Sequence, residues 1–291
     1  MRSMEIHSIV FAIVFCCFQF GATPSQAQDA DKELGWFLTA EFALVAASGN
    51  SESNTFGLTT ALLRVWARSE ARFEGGGLRT ESTLKTRTAI GTGQDDFTVV
   101  EEERTEKTAE NYYLRGRYDY DVSQRFFVFG GVDWLRNVFA GIDSRFLLAG
   151  GAGNTWVRTE KVKFKTDYSA TYTFETEVVE NPFVKTNFPG ARLAYNFLWK
   201  ISESTNFSSV LKLDWNLDNT EDVRIDMTTS LPIQISSKLA MKPSHQLLWR
   251  NDPALTEVAL FPSPGSPSSG TVLAPLEKTD SFWKLALVVK L

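Results

Sequence analysis

The sequence predicts an all-β fold, namely a single closed antiparallel transmembrane β-barrel of about 12 strands with short periplasmic turns and long external loops. Three observations support this prediction. Several segments alternate strictly between apolar and polar residues, as barrel strands do. Aromatic residues make up 13% of the chain. The connections between segments alternate between short and long, which is typical of bacterial outer-membrane barrels.

Alternation is clearest in the segments near 161–174 and 205–217. In the first, aromatic residues such as Phe164 take one parity, and charged residues such as Lys163 and Asp167 take the other. A two-residue period places these two sets on opposite faces of a strand. The segments are about 11 to 14 residues long, and a tilted strand needs roughly 9–11 residues to cross a bilayer. Alternation and length together favour strands that cross a membrane.

The order of the segments defines two rims. We place strands at 36–46, 54–66, 70–80, 109–120, 125–136, 144–157, 161–174, 187–199, 205–217, 222–235, 238–250 and 279–291. Every second connection is tight, as at 67–69 and 236–237. Because the strand count is even, both ends of the barrel fall on the rim of short turns.

Two long connections are expected on the other rim, near 81–108 and 251–278. The first is strongly charged, and we interpret it as a solvated external loop. Its alternative role is a contact for a cation or for lipopolysaccharide, through Asp95, Asp96, Glu101, Glu102 and Glu103. The second connection contains five prolines and is expected to be a long, irregular excursion.

The beginning of the chain predicts export. Residues 9–20 are an apolar run that follows Arg2 and precedes the small-x-small site at 25–27, the pattern of a secretory signal peptide. This run of 12 residues is shorter than the roughly 20 that a membrane helix needs. We therefore predict a signal peptide (1–27), a short periplasmic segment (28–35) and an outer-membrane barrel (36–291). Cys16 and Cys17 both precede the predicted cleavage site, so the exported chain is expected to lack disulfides.

The final segment, which begins at Phe282, reads FWKLALVVKL. Its alternating, aromatic-rich pattern resembles the C-terminal insertion signal of bacterial outer-membrane barrels. Those signals usually end in Phe, whereas this segment ends in Leu291. The resemblance implies that the barrel-assembly machinery is a partner through 282–291, and a barrel in the outer membrane would also contact membrane lipid and lipopolysaccharide.

Residues 35–81 carry a family resemblance. The first strand ends in a Ser-Gly-Asn-Ser motif at 48–51, and a second strand with Leu and Arg follows. The aromatic segment at 111–113, the tight turn at 121–124 and the Asp-Trp pair at 133–134 extend the pattern. The chain resembles the salt-induced outer-membrane protein family, bacterial barrels of unknown function. This resemblance implies an outer-membrane barrel and no catalytic residues, and only the family name suggests a role in envelope or osmotic stress.

Polar faces of the predicted strands supply the candidate lumen-lining residues. They are Glu41, Lys161, Lys163, Lys165, Asp167, Lys212, Asp214, Arg224 and Asp226. Both signs of charge occur, so the lumen is either a narrow polar pore or a structural barrel plugged by charged side chains that pair across it. At about twelve strands the lumen is wider than in eight-stranded barrels and narrower than in porins of about 16–18 strands.

An outer-membrane lipid hydrolase is the alternative function. His245 is the one histidine outside the predicted signal peptide, and Ser244 is its neighbour. Adjacent strand residues point to opposite faces, so this Ser and this His are not expected to meet, although a distant serine remains open. The sequence has no phosphate-binding glycine loop and no His/Cys metal spacing. We therefore predict no cofactor, no metal, no nucleic-acid partner and no enzymatic activity.

Overall fold

The computed structural model of the protein describes residues 33–47, 51–93, 96–181, 184–260, 267 and 269–290. The predicted signal peptide lies outside these residues. The strands are β1 (Gly35–Ala47), β2 (Ser51–Val65), β3 (Ser69–Gly93), β4 (Asp96–Asp121), β5 (Phe126–Asn137), β6 (Ile142–Arg158), β7 (Val162–Glu177), β8 (Asn187–Lys200), β9 (Asn206–Asn216), β10 (Val223–Ser230), β11 (Ile233–Gln234), β12 (Leu239–Arg250), β13 (Leu255–Leu260), β14 (Gly270–Pro275) and β15 (Thr279–Lys290). A single turn of 3-10 helix follows β5 at Val138–Ala140.

The strands close into one antiparallel barrel. Strands β1 to β10 pair successively, β10 pairs with β12, β12 with β15, and β15 returns to β1. The short β11 continues β10 along β12, because Pro232 interrupts the strand between them and cannot donate to the ladder. The ring therefore has twelve positions, which confirms the predicted fold and strand number. Among the described residues, no helix is long and apolar enough to cross a membrane.

Exposed aromatic residues form two girdles around the outer surface. One contains Trp36, Trp66, Tyr118, Tyr120, Trp156 and Trp199, and the other contains Phe146, Phe174, Trp215 and Trp283. Phe146 and Trp156 are ten residues apart on β6, which corresponds to about 33 Å along a strand and about 25 Å along the axis of a tilted barrel. Apolar side chains such as Leu193 and Leu285 are exposed between the girdles. This band matches the hydrocarbon layer that a transmembrane barrel must face.

Arg64 lies on this apolar outer face, but at its edge. Its guanidinium is 5.2 Å from the ring centroid of Trp36 and 5.4 Å from that of Trp66. Cation–π contacts with two girdle tryptophans place the charge at the level where a membrane meets water. The position of Arg64 on an otherwise apolar parity is thereby explained.

The connections alternate between two rims, although one connection on the second rim, 138–141, is no longer than the short turns. Connections at 66–68, 122–125, 159–161, 201–205 and 235–238 form the short-turn rim, together with the two ends of the barrel. The opposite rim, here called the loop rim, carries the connections at 138–141, 178–186, 217–222 and 251–278. Tight turns are stabilised locally, for example where Ser123 Oγ accepts from the backbone N–H of Phe126 at 3.0 Å.

The prediction of a loop at 81–108 is wrong. Strands β3 and β4 continue to pair through this segment up to Gly93 opposite Asp96. β-Branched residues recur in this part of both strands, for example Thr88 opposite Val100. Such residues favour β-strands. Asp96 and Glu101 to Glu103 thus belong to the backbone of β4, and Asp95 lies outside the described residues.

The prediction of an irregular excursion at 251–278 is also wrong in part. Here β13 and β14 form a separate two-stranded sheet with Val258 opposite Val272. The prolines do not prevent this pairing, because Pro275 is the last residue of β14 and the other four lie outside β13 and β14 in the sequence.

Glycines of β6 make room for an interior aromatic ring. A Cβ atom at Gly153 would lie 2.3 Å from Cζ of Phe127 and 2.5 Å from the carbonyl oxygen of Thr166. Phe127 itself is 3% exposed. Glycine at position 153 is therefore required by close packing against this lumen-facing ring.

Closure between the first and last strands gives a direct prediction. The β1–β15 seam places Ala40 opposite Val289. Opposed Cα atoms of antiparallel strands are about 4.5–5.5 Å apart, within the range that a disulfide accepts. We expect Ala40→Cys with Val289→Cys to form an intramolecular disulfide, measured by gel mobility with and without reductant in the exported chain.

A matched pair controls for chance collision. Ala40→Cys combined with Val132→Cys, on β5, joins strands that are four positions apart in the ring and should not cross-link. Absence of the seam disulfide in folded protein would contradict the closed ring.

Candidate functional site

The inward faces of the strands carry three clusters of charged side chains, which together make up the candidate site. The loop-rim cluster contains Glu175, Glu177, Asp222, Arg224 and Arg250. The central cluster contains Arg115, Asp133, Arg192, Lys212, Asp214 and Asp226. The turn-rim cluster contains Glu70, Arg117, Asp119, Lys165 and Asp167. The clusters follow one another from one rim to the other, so a solute passing through the barrel would meet all three.

The loop-rim cluster is the most buried. Asp222 is 1% exposed, Glu175 6% and Arg224 9%. Arg224 Nε donates to Asp222 Oδ1 at 2.9 Å, and its Nη1 donates to Glu175. Arg250 adds a 3.2 Å hydrogen bond from Nε to Asp222 Oδ1 and a 3.1 Å contact between Nη2 and Glu177 Oε1. Two arginines thus connect β7, β10, β12 and the 217–222 connection.

Asp222 lies outside the strands, at the entrance of the barrel. Burial by itself raises the pKa of the Asp222 carboxyl, but the hydrogen bonds and positive charge of Arg224, together with the charge of Arg250, outweigh burial. The pKa of Asp222 is therefore held below its ordinary value, and the carboxylate stays ionised near neutral pH.

The central cluster spans the lumen. Arg192 lies between two carboxylates, with Nη1 2.8 Å from Asp133 Oδ2 and Nε 2.6 Å from Asp214 Oδ1. Arg115 Nη2 lies 3.7 Å from Asp226 Oδ2. Because β4 and β10 are six positions apart in a ring of twelve, this last pair joins opposite walls of the barrel.

The turn-rim cluster combines charge with aromatic rings. Arg117 donates from Nε to Asp119 Oδ1 at 2.8 Å, and its Nη1 lies 3.1 Å from Asp167 Oδ2. Its guanidinium is 3.8 Å from the ring centroid of Phe129. Lys165 Nζ lies 3.8 Å from Glu70 Oε1. These contacts connect β3, β4 and β7 near the short-turn rim and narrow the lumen there.

Most of the residues that the sequence suggested as lumen-lining lie inside the barrel. Seven of them face the lumen, either in the clusters or in a bridge beside them: Glu41, Lys165, Asp167, Lys212, Asp214, Arg224 and Asp226. Glu41 forms that bridge, since Lys242 Nζ donates to it at 2.6 Å. Lys163 shares the parity of Lys165 but is exposed at the short-turn rim, and Lys161 lies in the turn before β7.

Sequence reasoning missed Arg115, Arg117, Arg145, Arg192 and Arg250 as lumen residues. A signal was present in β4, where Arg115, Arg117 and Asp119 share one parity. For Arg145 the flanking glycines obscured the alternation, and for Arg192 a proline and a glycine did so. Which charge meets which depends on the closure of the ring, and no local pattern contains that information.

His245 lies outside the lumen. Its Nε2 is 2.8 Å from Ser281 Oγ, and its ring centroid is 4.4 Å from that of Trp283. Trp283 is 81% exposed, so this group lies on the outer wall. Ser244 has the opposite parity, as expected. Within the described part of the chain, Ser281 is the one hydrogen-bond partner of His245, and no group of three or more His, Cys, Asp or Glu side chains is arranged to hold a metal ion.

The connection between β12 and β15 crosses the mouth at the loop rim. Ala254 is 2% exposed, and it packs on Gly141, which belongs to the connection on the opposite side of the ring. Asn219 Nδ2 donates to Asp252 Oδ2 at 2.9 Å, and Asn251 Nδ2 donates to the carbonyl oxygen of Glu221 at 3.0 Å. This segment therefore crosses the mouth and obstructs part of it.

Gly141 is the position where this cover can be displaced. It has φ +75°, and an added Cβ would lie 2.4 Å from Cβ of Ala254. We expect Gly141→Val to dislodge the crossing segment because both the backbone conformation and the contact exclude a side chain. Limited proteolysis should then cut residues 255–275 at least about threefold faster.

The control is Gly130→Val, since an added Cβ at Gly130 meets nothing within 4 Å. Equal proteolysis of the two variants would contradict the packing of Ala254 on Gly141.

Comparison with known proteins identifies relatives of the chain. Residues 40–257 match the family model described as "Protein of unknown function, DUF481". The "Uncharacterized protein YdiY" of Escherichia coli (strain K12) is 19% identical over 148 residues, which cover 51% of this chain and 56% of YdiY. The match thus spans little more than half of that relative's own length.

Several solved outer-membrane barrels have a distant likeness to the chain. A NanC porin is 9% identical, with 88% of this chain and 100% of that chain covered and a TM-score of 0.47. The translocator domain of the autotransporter NalP from Neisseria meningitidis is 8% identical, with 87% and 86% covered and a TM-score of 0.43. A bacterial polysaccharide outer membrane secretin is 8% identical, with 88% and 96% covered and a TM-score of 0.39. These likenesses are too distant to transfer the role of any residue.

The family match extends from β1 into β13 and so includes most of the barrel wall and every residue of the three lumen clusters. It confirms the family resemblance carried by the Ser-Gly-Asn-Ser motif and the strands that follow it. The chain belongs to the DUF481 family of proteins of unknown function.

Proposed function

We propose that the protein is a narrow outer-membrane pore that passes small ions and excludes larger solutes. One observation carries the proposal: the Arg115–Asp226 pair joins opposite walls of the barrel at 3.7 Å. Two side chains that meet across the lumen narrow it at this level, and we expect a sugar-sized solute to be excluded there. Polar, charged walls nevertheless offer ions a path that an apolar plug would deny.

The other two clusters support the same reading. Each contains both arginine or lysine and carboxylate side chains, so none is a ring of a single sign. Rings of one sign produce strong selectivity, whereas mixed clusters produce weak selectivity. The pore is therefore expected to discriminate mainly by size.

Bilayer recording and vesicle swelling test the proposal together. The refolded barrel in a planar bilayer should give discrete openings of low conductance in potassium chloride. Vesicles containing the barrel should not swell in an isotonic disaccharide. Rapid swelling would reject a narrow pore. A folded barrel without openings would support the plugged structural barrel instead.

Export and assembly form part of the proposal. Cleavage after Ala27 is expected, with delivery to the outer membrane and insertion by the barrel-assembly machinery through 282–291. Sequencing the amino terminus of protein recovered from outer-membrane fractions tests the cleavage site. Membrane lipid and lipopolysaccharide are the proposed surroundings of the girdles. The name of the family that the sequence resembles is the one ground for proposing a role in envelope or osmotic stress.

A lipid hydrolase is the second candidate, and the contact of His245 with Ser281 is the observation relevant to it. A nucleophilic serine needs a base that is itself oriented by a third group. We expect no phospholipid hydrolysis and no labelling of Ser281 by a fluorophosphonate probe. Labelling that disappears in His245→Ala would overturn the non-enzymatic proposal.

A further inference from the structure

We propose that Arg145 forms an anion-binding site inside the barrel, and that its ligand is a small monovalent anion of about the size of chloride. Arg145 lies on β6 and lines a cavity of the lumen together with Thr171, Thr173, Phe188, Arg224 and one carboxylate, that of Asp214. The inference deepens the proposed pore by naming an ion that occupies it, but the site itself does not require that ions pass through.

Two neighbouring lumen arginines are each held between carboxylates. Arg192 lies between Asp133 and Asp214, and Arg224 lies between Asp222 and Glu175. Within the residues that the structure describes, Arg145 makes no ion pair and no side-chain hydrogen bond. It is thus an inward-facing guanidinium whose N–H donors lack a protein acceptor.

The carboxylates that attract Arg145 already contact other arginines. They are Glu175 and Asp214. Both oxygens of Asp214 accept from Arg192, at 2.6 and 3.0 Å. One oxygen of Glu175 accepts from Arg224, and the other lies 3.3 Å from Arg250 Nη1. Every oxygen of these two carboxylates therefore already lies beside another arginine, and neither carboxylate forms a hydrogen bond with Arg145.

Charges of both signs act on the Arg145 guanidinium. Arg192 and Arg224 repel it, whereas Glu175 and Asp214 attract it. Arg145 is half-buried, and a cation that is partly removed from water beside two other cations is costly unless a counter-charge joins it. A bound anion supplies that charge and accepts the free N–H groups in charge-assisted hydrogen bonds.

The cavity sets the size of the ligand. Thr171 is 8% exposed and Thr173 3% exposed, and their hydroxyls supply neutral donors beside the guanidinium. The space between these residues holds roughly one water molecule. A halide ion fits such a space, whereas a sugar acid or a nucleotide does not. The ring of Phe188 lines one side of it.

Diffraction from crystals of the wild-type barrel grown in bromide is the direct test. We expect an anomalous peak within about 4 Å of the Arg145 guanidinium, in place of chloride or water. A bromide peak there supports the site. Crystals with ordered density for Arg145 and no peak beside it would overturn the proposal, whether or not any variant folds.

A second test measures chloride binding in solution. The line width of the chloride NMR signal is recorded in the presence of the refolded barrel. Arg145→Gln is expected to weaken the binding at least about tenfold. Thr173→Val removes one neutral donor at nearly constant volume and should weaken it severalfold. Lys163→Gln, which removes an exposed lysine at the short-turn rim, is the matched control and should leave binding unchanged. Equal line widths in all four proteins would overturn the site.

The outcomes separate this inference from the proposed pore. A barrel that conducts but shows no bromide beside Arg145 rejects the site and keeps the pore. A silent barrel with bromide at Arg145 rejects the pore and keeps the site.

Discussion

Replacement of Arg224 by glutamine is expected to destabilise the barrel by about 3–5 kcal/mol. Arg224 is 9% exposed, and it neutralises Asp222 and Glu175, which are themselves 1% and 6% exposed. Glutamine keeps part of the length of the side chain but none of its charge. The two carboxylates would then remain buried with less compensation, and burial of a poorly paired charge is among the largest single-residue effects.

Arg250 determines where in this range the effect falls. It already contacts both Asp222 and Glu175, so it can retain part of the compensation after Arg224 is lost. We therefore expect Arg224→Gln near the lower end of the range, and a combined Arg224→Gln and Arg250→Gln change to cost more than the sum of the single changes. Urea unfolding of the barrel in lipid vesicles, followed by tryptophan fluorescence, measures these differences.

Arg145→Gln is the matched control for this prediction. It removes an inward-facing arginine from the same region but leaves no carboxylate without its existing partner. The free energy of unfolding should therefore change by less than about 1 kcal/mol at low halide concentration. If Arg145→Gln and Arg224→Gln were equally destabilising, the distinction between paired and unpaired arginines in the lumen would be wrong.

The strands of the barrel wall could be predicted from the sequence, because the patterns that specify them are local. Alternation in β7 separates Phe164 and Tyr168 from Lys165 and Asp167, and the structure places the first two outside and the last two inside. Turn residues such as Ser123 mark the short-turn rim. Membrane strands must alternate over their full length, so the pattern persists long enough to be read.

The ion pairs inside the lumen were harder to predict from the sequence, because they connect strands that are distant in the ring. Arg115 and Asp226 are on opposite walls, and Arg117 meets Asp167 across three positions. Such pairs depend on the number of strands, their tilt and the side chains that fill the space between them. The extension of β3 and β4 through 81–108 was missed for another reason: a charged composition predicts solvation, but it does not prevent two strands from pairing.

Removal of the Arg115–Asp226 pair should widen the lumen without unfolding the barrel. Both side chains are partly accessible, at 30% and 28%, and their closest atoms are 3.7 Å apart. A pair of this kind contributes about 0–1 kcal/mol to stability. We therefore expect the free energy of unfolding in urea of the double variant, Arg115→Ala with Asp226→Ala, to be within about 1 kcal/mol of the wild-type value. Among the described ion pairs, this is the only one that joins opposite walls of the barrel.

Conductance is where the large effect is expected. Shortening both side chains to alanine clears the line between β4 and β10, so single-channel conductance in potassium chloride should rise roughly two- to fivefold. Gln246 donates to Asp226 Oδ1 at 2.9 Å in the wild type and would lose this acceptor. Single Arg115→Ala should give an intermediate rise, because Asp226 would keep its contact with Gln246.

A second ion pair provides the control for this double change. Lys200 and Glu203 are 2.8 Å apart in a turn of the short-turn rim, where Glu203 is 95% exposed. Alanine at both positions removes the same types of charge without touching the lumen, and conductance should remain that of the wild type. If the Arg115 and Asp226 variants also conducted like the wild type, the narrowest part of the path would lie elsewhere. The turn-rim cluster around Arg117 and Phe129 would then be the next candidate, because its contacts reach across part of the lumen.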